Sequence, residues 1–197
     1  MPSVDASHRK ILDVGCGAGQ TLIGCALSPE VFAVGLDLDE SALAFGRGLN
    51  RGINFVRASG EELPFHRESF DLVISRVALP YMQINKGLAE MFRVLRADGD
   101  LWIVLHPLSG TLSELMSEAR QLHLKGFLFR SWVLLNGLSF NVFGRQYAWP
   151  IDRNRRETWQ GNRRMTRVLL AAGFSDIQIT RNKHFVITAR KPSTSVG

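Results

Sequence analysis

The chain has 197 residues, of which 45% are hydrophobic and 21% charged, a composition that excludes disorder, collagen-like repeats and a coiled coil and suits one domain with a sizeable core. Its net charge of +6 is uneven: residues 1–107 hold 10 Lys and Arg against 13 Asp and Glu, whereas residues 108–197 hold 14 against 5, and 11 of those 14 are arginines. Arginine favours planar recognition of phosphate or carboxylate, the alternative being a solvated basic face. Two cysteines, Cys16 and Cys25, neither build a disulfide scaffold nor pair as zinc ligands, so a reduced, cytoplasmic setting without a metal is expected. The opening MPSVDASHRK lacks the apolar segment of a secretion signal. Arg130, Asn136 and Gly137 interrupt the one long apolar stretch, 127–143, so no membrane span is expected.

From residue 10 onward, short apolar runs alternate with helical patterns. Ile11–Val14, Val31–Leu36, Ile53–Val56, Phe70–Ile74 and Leu101–Leu105 read as buried strands. Thr21–Leu27, Glu40–Leu49 and Ile84–Leu95 read as helices, the last with Leu88, Met91, Phe92 and Leu95 on one face and a stop at Asp98-Gly99. Such alternation predicts right-handed βαβ units and an open, doubly wound sheet. After Pro107 the pattern changes. Thr111-x-x-Glu114 reads as a capping box opening a helix that runs to Gly126. Residues 127–159 hold 8 of the chain's 18 aromatics and read as an insertion, within a departure spanning about 108–160. A helix over Arg163–Ala172, ended by Gly173, precedes Asp176–Thr180 and His184–Ala189; with only Arg181-Asn182-Lys183 between them, these two must pair as an antiparallel hairpin.

The chemistry sits in ILDVGCGAGQT, residues 11–21. A strand runs into Gly15-Cys16-Gly17-Ala18-Gly19, where glycines let backbone approach a ligand closely. Gln20 stands where a dinucleotide fingerprint needs its third glycine, and no Lys-Ser/Thr follows, so neither that fingerprint nor a phosphate-cradling loop is present. Asp13 disfavours a pyrophosphate and suits a cationic group. Asp37 ends the second strand, where a carboxylate can accept both hydroxyl hydrogens of a ribose; Asp39 is placed to cap the next helix.

Together these residues resemble the class I S-adenosylmethionine-dependent methyltransferases, in their type 11 small-molecule group. ILDVGCGAGQT resembles the family's first motif and GLDLDESAL its acidic motif after strand 2. FVRASGEELPFHRESFDLVISRVALPYM resembles the strand-3-to-strand-4 block, FRVLRADGDLWI the approach to strand 5, and LLAAGFSDIQITRNKHFVITARKP the closing hairpin. The resemblance implies a Rossmann-like sheet of about seven strands, mostly parallel with an antiparallel C-terminal strand, and S-adenosyl-L-methionine as cofactor. It places backbone of Gly15, Cys16 and Gly17 along the methionine moiety with Asp13 near its ammonium. Asp37 would hold the ribose, Leu38 the adenine face, Gly60 and Glu61 the adenine edge, and Ser75 would close over the methionine end. Two departures stand. Ser59 occupies a position usually aspartate, and nine residues precede the first strand where relatives carry one or two helices. Either the form is shortened or the insertion covers the site.

The reaction needs no fixed catalytic residue; His106, at the end of the fifth strand, is the candidate base, its alternative role being to satisfy a turn before Pro107. Tyr81, Trp132, Tyr147, Trp149 and Arg145 are candidate acceptor contacts, with Arg153, Arg155 and Arg156 as further anion donors. A small aromatic or amphiphilic anion is the expected acceptor. The alternatives are an RNA methyltransferase or RNA-binding module using the basic half, and a non-catalytic cofactor-binding domain. The aromatics of the insertion have a competing role in packing the sheet's flank or a homodimer contact.

Overall fold

The computed structural model describes residues 1–153, 155–181 and 184–193. Its elements are β1 (Lys10–Val14), α1 (Gln20–Gly24), β2 (Phe32–Asp37), α2 (Glu40–Leu49), β3 (Ile53–Arg57), β4 (Phe70–Arg76), a 3-10 turn (Leu79–Tyr81), α3 (Ile84–Val94) and β5 (Leu95–Leu105). There follow α4 (Leu108–Arg120), α5 (Leu124–Phe143), α6 (Asn162–Ala172), β6 (Ser175–Arg181) and β7 (Phe185–Arg190). The strands form one seven-stranded sheet in the order β3-β2-β1-β4-β5-β7-β6. Strands β1 to β5 are parallel, and β7 runs antiparallel to both β5 and β6. The doubly wound sheet and the C-terminal hairpin are therefore as expected, although Asn182 and Lys183 of the hairpin turn lie outside the described residues.

Strand periodicity divides the core between two faces. On one, Leu12, Val14, Val73 and Ile103 pack with Leu88 and Met91 of α3, Phe140 of α5 and Leu169 of α6. On the other, Ile11, Ile74 and Trp102 pack with Leu22 of α1. The chain leaves β1 toward β2 and β3, then returns to lay β4 and β5 on the opposite side. The order therefore switches between β1 and β4, and ligands of open α/β sheets sit beyond the strand ends at such a point.

Several local expectations fail, each for a backbone reason. Helix α1 stops at Gly24 because Ala26 turns left-handed at φ 47. Asp98-Gly99 is no stop: α3 passes directly into β5, which kinks there with Asp98 at φ 59 and a register shift against β4. Pro107, with φ −70, supplies the N-cap of α4, leaving Thr111 buried inside the helix and not at its start. That helix ends well before Gly126, since Leu122 turns at φ 53 and α5 begins at Leu124. Much of the stretch read as an insertion is this 20-residue helix. Glycine and asparagine inside it suggest a loop, yet Gly137 is where the Trp159 indole lies too close for any Cβ. Helix α6 ends as read, on Gly173 in the left-handed region.

Candidate active site

The turn after β1 alternates left-handed glycines, Gly15 at φ 75, Gly17 at φ 54 and Gly19 at φ 80. A Cβ at Gly15 would collide with that of Ala78, and one at Gly19 would stand 2.8 Å from the Phe55 ring. Only Gly17 is open, its nearest neighbour being the Gln20 amide oxygen at 3.4 Å. Gly15 and Cys16 donate their N–H groups to the Leu36 carbonyl at 2.7 and 3.0 Å. Gly17 donates to Asp37 Oδ2 at 2.8 Å, and Asp39 donates to Asp37 Oδ1 at 3.0 Å. Asp37 thus locks the turn to the end of β2 while each of its oxygens keeps a free lone pair. Asp39 caps α2 as read, accepting from the Ser41 and Ala42 N–H groups at 2.9 and 3.2 Å.

Above this turn lies a cavity of about 650 Å³, lined by Gly15, Gly17, Asp37 and Leu38 on one side and by Ser59, Gly60 and Glu61 on another. Arg76, Val77, Ala78, Tyr81, Met82 and Gln83 form its wall beyond β4, and Arg153 and Arg156 close it from the segment after α5. Glu61 accepts from the Gln83 backbone and side-chain amides at 2.9 and 3.0 Å, fixing the start of α3. Glycine at 60 serves packing, since a Cβ there would come within 2.7 Å of Val14 and 3.0 Å of Met82. Val77 holds φ 63, unusual for a β-branched residue, and donates its N–H to Val104 at 2.8 Å. That bend turns the chain across the end of β4 and presents Ala78 to Gly15. Nothing in the local composition marks it.

Other candidate residues lie elsewhere. Cys16 is buried with its sulfur over Gly35, where a Cβ would stand 2.8 Å away, so only its backbone belongs to the turn; burial raises its thiol pKa. Asp13 and Ser75 are both fully buried and line nothing. By strand alternation they occupy opposite faces of the sheet, Asp13 with Ile11 and Ser75 with Val73. Neither Asp13 oxygen nor the Ser75 hydroxyl has a hydrogen-bond partner among the described residues. Burial, reinforced by the nearby Asp37 charge and opposed by Arg76, raises the Asp13 pKa to about 7. His106 is exposed beyond β5 and does not reach the cavity.

Of the candidate acceptor contacts, Tyr81 alone lines the cavity. Trp132 and Trp149 pack edge-to-face at 5.2 Å, both against Phe129, while Arg155 lies over the Phe129 ring at 3.7 Å. This cluster fastens the segment after α5 to the helix itself. Buried Asn136 donates to the Tyr147 and Glu157 carbonyls at 3.1 and 3.0 Å and accepts from the Tyr147 N–H at 2.8 Å. Gln146 accepts from Ile84 N–H at 2.9 Å and donates to the Met82 carbonyl at 3.3 Å. Those bonds bring the segment against the cavity wall, with Arg153 and Arg156 facing the cavity while Arg145 and Tyr147 are exposed outside it.

The cavity fits S-adenosylmethionine by its donor set. Asp37 offers a carboxylate to a diol, Gly17 leaves room where a side chain would intrude, and Leu38 holds an apolar side chain at the rim, 63% exposed. Comparisons with known proteins agree. Residues 11–99 match a methyltransferase domain family. A phthiotriol/phenolphthiotriol dimycocerosates methyltransferase of Mycobacterium leprae is 39% identical over 103 residues, covering 50% of this chain and 38% of that protein. The uncharacterized methyltransferase YcgJ of Bacillus subtilis is 33% identical over 127 residues, 59% of this chain and 49% of that protein. The chain thus spans less than half the length of either relative. The crystal structure of YcgJ superposes with a TM-score of 0.63 at 18% identity, over 95% of this chain and 93% of that one, which is a likeness of fold. Residues 11–99 are thus similar to a methyltransferase domain, and the whole sheet shares the fold of the YcgJ structure.

Proposed function

We propose that this protein binds S-adenosylmethionine at the β1–β2 edge of the cavity and transfers its methyl group to a small amphiphilic anion, with residues 1–197 acting as one unit and 108–160 as its insertion. The observation that carries this reading is the continuity of one cavity, running from Asp37 and the glycine turn to Tyr81, Arg76, Arg153 and Arg156. When bound, the cofactor supplies a methyl group on a sulfonium, already activated toward in-line displacement. The protein's share is positioning and exclusion of water, with effective molarities worth ~7–11 kcal/mol. Asp37 fixes one end, and the N–H groups of Gly15, Cys16, Gly17 and Gly19 are already engaged within the fold, which holds the turn's shape. The arginines suit a carboxylate or phosphate on the acceptor. Tyr81 is the one hydroxyl-bearing aromatic in the wall; burial raises its pKa, so it stays protonated and donates to the acceptor. No histidine lines the cavity among the described residues. The mycobacterial relative's dimycocerosate acceptor supports a small molecule over a nucleic acid.

Calorimetry tests the first half. Asp37→Ala is expected to weaken cofactor binding by ~1.5–3 kcal/mol for each charge-assisted bond lost, and preference for a nicotinamide dinucleotide would overturn the reading. For the second half, cell extract is incubated with isotope-labelled cofactor and its products resolved by mass spectrometry. A labelled small anion, lost with Arg153→Ala/Arg156→Ala while cofactor affinity holds, supports the reading. Label carried into RNA would replace it.

A further inference from the structure

Helix α5 is apolar on both of its sides. Phe129, Val133, Gly137 and Phe140 face inward and are buried. At about 100° per residue, Leu124, Leu128, Leu135, Leu138 and Val142 fall on the opposite side, and they are 67, 52, 66, 52 and 55% exposed. An apolar outer side opposite a buried one is selected by an apolar surrounding and not by water, and an exposed stripe of this kind, broken only by Ser131, marks an interaction surface. The helix contains no Asp or Glu. Its ends are cationic: Arg120 and Lys125 border the α4–α5 turn, Arg145 follows the last helical turn, and none pairs with a carboxylate among the described residues. The nearby acids are engaged, Glu114 with Arg130 and Glu118 with His123. At the turn between the helices Leu122 is 90% exposed.

We infer that the outer face of α5, with the α4–α5 turn, docks on an anionic membrane surface, the helix lying in its plane. Apolar side chains between cationic ends are the composition of an interfacial helix, where hydrocarbon contact and attraction to anionic headgroups act together. No helix among the described residues is long and apolar enough to cross a membrane, which leaves α5 on the surface. A second copy fits less well. An antiparallel pair of α5 faces would set Arg120 and Lys125 of each copy against Arg145 of the other, and a parallel pair would set like against like. This inference stands apart from the methyl-transfer reading, because nothing in the stripe touches the cavity.

Co-sedimentation of the full chain with vesicles tests it, comparing equal phosphatidylglycerol and phosphatidylcholine with phosphatidylcholine alone. The chain is expected to sediment with the anionic vesicles and to be released by added salt. Leu135→Asp/Leu138→Asp is expected to lower the bound-to-free ratio by at least about tenfold while the melting temperature and cofactor affinity stay unchanged, both positions being exposed. Should that variant fold poorly, Lys125→Glu/Arg145→Glu is expected to give a comparable loss through charge. Equal binding to both vesicle types, or undiminished binding in the variants, overturns the inference. So does a dimer in light scattering that Leu135→Asp/Leu138→Asp converts to monomer, which would assign the face to a second copy.

Discussion

Two regions meet at the cavity, and they are built differently. The turn after β1 is specified by backbone: three glycines at positive φ, with N–H groups given to Leu36 and Asp37. The segment after α5 is specified by side chains reaching across long sequence separations, Asn136 and Gln146 holding it at both ends. The backbone-built half tolerates almost no change at its glycines and shows itself in a few consecutive letters. The side-chain-built half can change its tip freely while its anchors hold. On the methyl-transfer reading proposed above, the cofactor takes the first half and the acceptor the second.

The largest effect expected from breaking this contrast is at Gly15. Gly15→Val puts a branched side chain into Ala78 at a left-handed position, and a loss of about 3 kcal/mol or more in urea unfolding is expected. Gly17→Val meets only the Gln20 side chain. It should cost about 1–2 kcal/mol, remain folded, and fail to bind cofactor in calorimetry. Equal behaviour of the two variants would show that the turn has no ligand side.

Next in size is the other half. Asn136→Ala strands the Tyr147 N–H and frees two carbonyls, at about 1–3 kcal/mol for an unsatisfied buried group. Because the change loosens the segment carrying Arg153 and Arg156, KM for the acceptor should rise while cofactor Kd stays put. A change in cofactor Kd instead would mean that the two halves are not separable.

The most gradual expected effect, spread over several pH units, concerns Asp13. Asp13 has a folded pKa raised to about 7, above the ~3.9 of an unfolded aspartate, so the folded state binds the proton more tightly. Its contribution favours folding at low pH and is lost as pH rises from about 4 toward 7. Melting curves of Asp13→Asn should lack that component, and the difference between variant and parent should grow toward neutral pH. A parallel pair of curves would mean that Asp13 is paired in solution.

The glycine turn, Asp37, the Asp39 cap and the C-terminal hairpin were legible in the sequence because each depends on neighbours a few positions away. The placement of Asp13 and Ser75 was not. Both stand at strand ends near the site, and only their register within the sheet reveals that they face opposite ways. Arg145 was as plausible an anion contact as Arg153 and Arg156, since nothing in the order of arginines tells which ones a latched loop turns inward. The aromatic stretch misled for a related reason. Trp132 and Trp149 resemble a ligand box in sequence, but in space they are the clasp between α5 and its own continuation. Val77 gives no local signal at all, since its left-handed bend is imposed by the bond to Val104 across the sheet.

The place of β7 in the sheet bears on how the chain is made. β5 is complete at Leu105, yet its partner on the open side is Phe185–Arg190, which also separates it from β6. At ~5–20 residues per second, a ribosome takes roughly 4–16 s to deliver the ~80 residues between them. Throughout that interval the nascent protein shows an unpaired apolar edge, a ready template for mispairing. That edge closes only when β7 pairs with β5.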